Sequence, residues 1–332
     1  MLHPSRTLVS WLLAGLLLTA IACNKKADTE SSNAPVPSEI LQKIYDMGFS
    51  TAGVKQVPGG YMVEGDIFLK TSDLDKKITT PVLRIAESEQ YRTNNLVQSL
   101  PRTINIAITG LPADFTTALD NAIARYNALN LRLTFQRVTS GAHITVQHAN
   151  IDALGSAGFP SGGNPYSSIL LNSNAFGIFP DINFLTTVIA HELGHCIGFR
   201  HTDYFNRGFS GCLVDATHPA NEGTGPNGAI HIFGTPSWGD AGSWMLACTD
   251  GSNRPFNFND IIALRALYGS PSPSCGPEGY RLINGNCEQG VKRIVSGEYD
   301  EFHDRCQYTY YYYWSNGEID YMYGAIEPGP CP

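Results

Sequence analysis

The sequence predicts an α+β domain over residues 101–270 with a small module on either side. Three observations carry this. From Arg102 onward, segments of alternating and of helical apolar spacing follow in the order β-α-β-β-β-α. After Ser270 the chain changes character, holding four of the eight cysteines and nine of the sixteen tyrosines in a Gly/Pro-rich setting. Before residue 101 it divides into an apolar run, a polar stretch and a β-rich patch. A length of 332 residues accommodates one such domain and its companions.

Composition narrows the class. With 42% hydrophobic and 16% charged residues the chain can build a core, which excludes extensive disorder. Lys+Arg 22 against Asp+Glu 30, with no basic cluster, leaves no electrostatic footprint for nucleic acid.

The elements follow in order. Met1–Ser10 carries His3 and Arg6 without an acid, and Trp11–Ala22 is apolar throughout. That run is too short to span a bilayer core of about 30 Å, so residues 1–22 read as a signal peptide. It ends Ala20-Ile21-Ala22-Cys23, which resembles a bacterial lipobox, although Ala20 stands where Leu is commonest. The resemblance implies a lipid on Cys23 and a lipoprotein of the bacterial cell envelope, in the outer membrane or on the cell surface. Residues 23–37 are polar and contain Pro and Ser, the composition of a flexible tether. Residues 38–100 form the N-terminal module: Ile40, Leu41, Ile44 and Met47 lie at helical spacing, and Ser50–Val57 and Tyr61–Leu69 read as a hairpin closed by Pro58-Gly59-Gly60.

In the central block, Ile104, Ile106 and Ile108 alternate along a half-buried strand. Phe115, Ala118, Leu119, Ala122, Ile123, Tyr126 and Leu129 mark an amphipathic helix with Asp114 as its cap. Leu131–Val138, His143–His148 and Ser167–Asn172 are strands, Leu185–Phe199 is a helix, and Asn259–Tyr268 is a helix stopped by Gly269 and Pro271. Residues 271–332, with Cys275, Cys287, Cys306 and Cys331, read as a disulfide-stapled appendage. Three pairings of those four cysteines remain open.

Residues 191–201 read His-Glu-Leu-Gly-His-Cys-Ile-Gly-Phe-Arg-His. On a helix, His191 and His195 leave one face a single turn apart and can share a metal. Glu192 lies close enough to bond a metal-bound water without ligating. Gly198 can adopt a left-handed conformation, so the chain turns there and returns His201 to the metal. Three histidines leave one position of a tetrahedral zinc open, an arrangement suited to hydrolysis. His3, His143, His148, His218, His231 and His303 are expected to be non-ligands. Cys196 points about 100° away from His195 around the helix and is not expected to ligate. Cys212 and Cys248 are placed to staple long loops in this half of the domain.

This motif resembles that of the metzincin metallopeptidases. Ser243-Trp244-Met245-Leu246 is similar to their Met-turn, with Met245 at the Met. The closest similarity within that clan is to the dual-action HEIGH metallopeptidases, with Leu193 where the name has Ile. The resemblance implies a zincin-like domain with a twisted, mostly parallel sheet, an active-site helix, a Met-turn and a C-terminal helix. It also implies that Ser167–Asn172, as the last strand, pairs with an extended peptide substrate. The implied activity is zinc-dependent endopeptidase chemistry on peptide or protein substrates, with Zn2+ on His191, His195 and His201 and Glu192 as general base and acid. Astacin- and serralysin-like members carry a Tyr two residues after the Met, but here that position is Ala247, and Tyr204 is not assigned the role.

Val63-Glu64-Gly65-Asp66-Ile67 is similar to the F-x-G-D-I segment of astacin-type propeptides, with Val63 in place of Phe. The resemblance implies that Asp66 occupies the fourth zinc position in a latent precursor, and the alternative is a plain Gly-Asp turn. If maturation cuts between about Leu69 and Arg102, the lipid leaves with the prosegment and the enzyme is released. A competing expectation is an inactive zinc-binding surface protein that uses Tyr308, Tyr310–Tyr313 and Trp314 to bind glycan or protein. Intact Glu192 argues against it, and those aromatics equally suit a miniature core.

Overall fold

Helix α1 (Ser38–Asp46) presents Ile44 to a small apolar cluster with Phe49, Tyr61, Val63, Ile67, Leu69 and Leu74. The computed structural model describes residues 35–47, 49–75, 90–178, 180–212, 222, 229–232, 235, 240–269, 279–284, 286–300, 304–315, 317 and 323–331. The predicted signal peptide, Cys23, His218, Cys275 and His303 lie outside them.

Beyond α1, the expected two-stranded hairpin is a three-stranded antiparallel meander, β1 (Lys55–Val57), β2 (Gly60–Val63) and β3 (Ile67–Lys70). The run read as one strand over Tyr61–Leu69 is broken by a turn at Glu64-Gly65-Asp66, with Glu64 at φ 52° and Gly65 at φ 97°. The apolar alternation resumes in phase after the turn, so periodicity did not register the break.

Residues 90–100 run beside the end of the histidine-bearing helix. Within them β4 (Tyr91–Arg92) later receives two short antiparallel partners. Strand β5 (Arg102–Thr109) is followed by α2 (Ala113–Asn127), β6 (Leu133–Arg137), β7 (Ile144–His148), β8 (Gly155–Ser156) and β9 (Ser168–Leu171). Asp114 is not the cap of α2: Pro112 holds that position without a side-chain bond, and Asp114 lies within the first turn. There its charge complements the helix dipole, which is a different use of the same residue.

The sheet runs in the order β6-β5-β7-β9-β8, parallel except for β8, which is antiparallel to β9. Strand β9, expected as the free edge, is therefore interior, and the edge belongs to β8. Two residues of small side chain carry no periodicity, so this strand was invisible to pattern reading.

Helix α3 (Ile182–Ile197) begins three residues earlier than its apolar spacing suggested, because Asp181 caps it by accepting from the N–H groups of Asn183 and Phe184. Every side chain from Leu185 to Ile197 is buried. The Tyr126 hydroxyl of α2 donates to Ala190 O of α3 at 2.8 Å, tying the helices together inside the main core. After α3 come β10 (Phe199–Arg200) and β11 (Ile230–His231), both paired with β4. Helix α4 (Phe258–Tyr268) opens on a reciprocal capping box between Asn257 and Asp260. No helix among the described residues is long and apolar enough to cross a membrane.

The C-terminal segment forms a hairpin, β12 (Tyr280–Ile283) with β13 (Asn286–Gln289), and a sheet of β14 (Val291–Asp300), β15 (Arg305–Tyr313) and β16 (Tyr323–Pro328). Alternate residues of β15 turn inward, so Tyr308, Tyr310 and Tyr312 join Ile283, Cys306 and Trp314 in a miniature core. Cys306 pairs with Cys331, Cys212 with Cys248, and Cys287 is also disulfide-bonded.

Candidate metal centre

The centre is assembled by three local devices. The first is helical spacing: on α3 the Nε2 atoms of His191 and His195 stand 3.0 Å apart. The second is the end of that helix. Gly198 caps it at φ 111°, its N–H bonding back to Gly194 O and His195 O. A Cβ at Gly198 would lie 2.8 Å from Asn95 O, so both conformation and space require glycine. The third is the pairing of β10 with β4, which brings His201 Nε2 to 3.2 Å from His195 Nε2 and 3.3 Å from His191 Nε2.

What the other ring nitrogens meet decides what these three can hold. His191 Nδ1 donates to Trp244 O at 2.9 Å and His195 Nδ1 donates to Phe199 O at 2.8 Å. A carbonyl only accepts, so each Nδ1 carries the proton and each Nε2 presents a lone pair. His201 Nδ1 faces the Glu222 carboxylate. Three lone pairs converging in a buried space repel one another unless a cation lies between them. Zinc–nitrogen bonds of about 2.0–2.1 Å at tetrahedral angles place nitrogens about 3.3 Å apart, close to the separations seen. The donor set fits zinc.

Asp66 is the fourth member of the cluster. Its Oδ2 lies 2.9 Å from His201 Nε2, 3.6 Å from His191 Nε2 and 4.0 Å from His195 Nε2. Its Oδ1 is buried without a hydrogen-bond partner. Burial would raise its carboxyl, but the imidazoles clustered around it, His201 foremost, hold it well below the usual range. The chain leaving the turn that delivers Asp66 is held against Ala157. Phe68 N–H donates to Ala157 O at 2.9 Å and Ala157 N–H to Asp66 O at 3.2 Å, so β3 continues past the free edge beside β8.

Glu192, next to His191, is buried, with Oε2 lacking a partner. Burial first, and then the Asp66 charge, push its carboxyl well above the usual range. Gly155 of β8 faces it so closely that a Cβ there would stand 2.5 Å from Oε1. Met245 lies beneath α3: a Cβ at Gly194 would be 2.5 Å from its sulfur, and its carbonyl accepts from Thr202 N–H at 2.8 Å.

Sequence reasoning missed the carboxylates around His201. Arg200, itself fully buried, directs Nη2 to Glu64 Oε2 at 2.5 Å and to Glu222 Oε2 at 3.2 Å. Glu222 lies in a Gly- and Asn-rich stretch without periodicity. The one available signal was the general need of a ligating His for an acceptor on its second nitrogen. Other expected non-participants lie elsewhere. Tyr204 is buried edge-on against Tyr91 at 4.3 Å between centroids. Cys196 is a free, buried thiol whose burial pushes it well up. His143 accepts from Asn105 N–H, His148 meets Ser173 and His231 meets Thr235.

Known proteins resemble this chain at two levels. The sequence model of the dual-action HEIGH metallopeptidase family matches residues 62–268. Among solved structures, one of myroilysin is 12% identical, the match covering 52% of this chain and 82% of that one at a TM-score of 0.36. A crystal structure of myroilysin is 15% identical, covering 53% and 87% at a TM-score of 0.36. High choriolytic enzyme 1, a hatching enzyme zinc-protease from Oryzias latipes (Medaka fish), is 13% identical, covering 50% and 88% at a TM-score of 0.34. No curated protein matches the chain.

Proposed function

The chain belongs to the dual-action HEIGH metallopeptidases and is a zinc metallopeptidase, and on that premise we propose that it is an endopeptidase whose general base and acid is Glu192. The observation that carries this is the carboxylate itself: one residue from His191, buried, with Oε2 directed to no protein donor. His191, His195 and His201 would hold the zinc. Zinc bound there supplies Lewis acidity toward water and the scissile carbonyl. Glu192 takes a proton from that water and returns it to the leaving amine. A carboxylate held beside the metal can accept the proton of the water and pass it on to the amine. An extended substrate would pair with the free edge at Gly155-Ser156-Ala157, where only backbone is needed for recognition.

Substituting Glu192→Ala tests the assignment. The variant retains zinc by metal analysis and loses turnover by at least about a hundredfold. Undiminished cleavage would remove Glu192 from the reaction.

We also propose that the precursor is exported, carries a lipid on Cys23 and is latent, with Asp66 in the fourth zinc position and Met245 as the Met-turn. The position of Asp66 Oδ2 among the three Nε2 atoms, and the seating of β3 on the edge that a substrate would use, support the latch. Cutting between the N-terminal module and the peptidase domain would free both the edge and the enzyme. For the anchor, the mass of the N-terminal peptide of the membrane-extracted protein is the measurement: a diacylglyceryl increment on Cys23 is expected, and an unmodified thiol refutes it.

A further inference from the structure

A cavity of about 390 Å3 opens onto Glu192 and His191 but is bordered by neither His195 nor His201. If Glu192 hands its proton to the leaving amine, the side of the metal on which Glu192 stands is the side of the carboxy-terminal fragment, whose first residue carries the new amine. The cavity then receives the side chain of the residue just after the scissile bond. This step rests on the reading of Glu192 given above.

Val188 of α3, Trp244 and Leu246 form an apolar part of the wall, Asp66 and Asp152 border the cavity on the side of Gly155, and Arg254 adds a fixed cation beside the apolar part. Arg254 N–H donates to Thr187 Oγ1 at 2.9 Å, one helical turn before His191, and its Nη1 donates to Cys248 O at 2.9 Å. The first bond anchors the Arg254 backbone to the active-site helix, and the second ties its guanidinium to the segment after Met245. Its carboxylate neighbour, Asp250, is 67% exposed and 3.3 Å from Nη2. That carboxylate takes shorter bonds from Ser252, 3.0 Å from N–H and 2.6 Å from Oγ. An exposed pair of this kind is a weak competitor. The other guanidinium of the cavity, Arg207, already faces Glu222 at 3.6 Å.

We propose that Arg254 makes this cavity selective for an acidic side chain at the residue just after the scissile bond, the first of the carboxy-terminal fragment. A charge-assisted bond formed beside an apolar wall is stronger than one formed in water.

Two measurements test this on the zinc-loaded chain after proteolytic removal of the N-terminal module. The first is binding of tetrapeptides that begin with Glu, Leu or Lys, which requires no turnover. The Glu peptide should bind about tenfold more tightly than the other two. Arg254→Gln should erase that difference, Arg254→Lys should keep part of it, and Arg254→Glu should invert it in favour of Lys. Tight binding of the Lys peptide by R254E also shows that the variant is folded. Equal binding of the three peptides by the wild type, or a preference unchanged in R254Q, overturns the inference. The second is cleavage of a random peptide library after proteolytic activation. Enrichment of Glu and Asp directly after the cut is expected. Cleavage without that enrichment overturns the role of Arg254 alone, whereas no cleavage of any peptide overturns the endopeptidase reading and the inference with it.

Discussion

His201 differs from His191 and His195 in what its Nδ1 meets. The first two donate to backbone carbonyls, while His201 faces Glu222, which Arg200 holds in turn. A carboxylate acceptor raises the basicity of the opposite nitrogen, so Glu222 both orients the ring and strengthens its lone pair toward zinc. Replacing it with the isosteric Glu222→Gln keeps the shape and removes the charge. Zinc affinity should fall about 10–100-fold, read by competition with a chromophoric chelator. An unchanged affinity would mean that Glu222 serves only to neutralise Arg200. At this scale the sequence was informative wherever chemistry depends on spacing: His191, Glu192, His195, Gly198 and His201 all belong to one short stretch. Glu64, Arg200 and Glu222 form a network across distant segments, and nothing in their local sequence marks it.

Helices α3 and α4 show how the ends of elements position the centre. Asp181 starts α3 and Gly198 stops it, which fixes how many turns separate the cap from the histidines. The capping box of α4 does a second job, because Asp260 also accepts from Trp244 N–H at 3.2 Å and from Gln90 Nε2 at 2.6 Å. One carboxylate thus joins a helix start, the Met245 turn and the strand leading into the domain. Burial pushes the Asp260 carboxyl from 3.8 up to about 7, against the bonds it accepts. The folded chain therefore holds this proton more tightly than the unfolded chain does. Its contribution to stability is fully present below about pH 4, declines as pH rises and is gone above about pH 7. Urea midpoints from pH 4 to pH 8 should fall for the wild type relative to Asp260→Asn, whose side chain does not titrate. Parallel pH profiles for the two proteins would show that Asp260 does not titrate in this window.

On the scale of the whole molecule, the N-terminal meander and the peptidase sheet meet along the free edge at β8, and the turn between β2 and β3 reaches the histidines. If Asp66 holds the fourth zinc position, full-length Asp66→Ala should gain activity over the latent wild type on a short quenched peptide, by at least about tenfold. Activity as low as that of the wild-type precursor would assign latency to the blocked edge instead. The sequence by itself determined the spacing of the three histidines, the strands and α-helices of the central block from β5 to α3 except β8, the buried active-site helix and the expectation that Met245 lies below it, because each depends on neighbours along the chain. It also marked Asp66, by resemblance. Only the tertiary structure decided that the edge is Gly155-Ser156 and not Ser168–Leu171, that the tail aromatics Tyr308, Tyr310, Tyr312 and Trp314 fold onto one another, and that Glu222 serves His201. The physical reason is the same in each case. Strand order, burial of a sheet face and a buried ion pair are set by contacts between segments far apart in sequence, and such contacts leave no period to read.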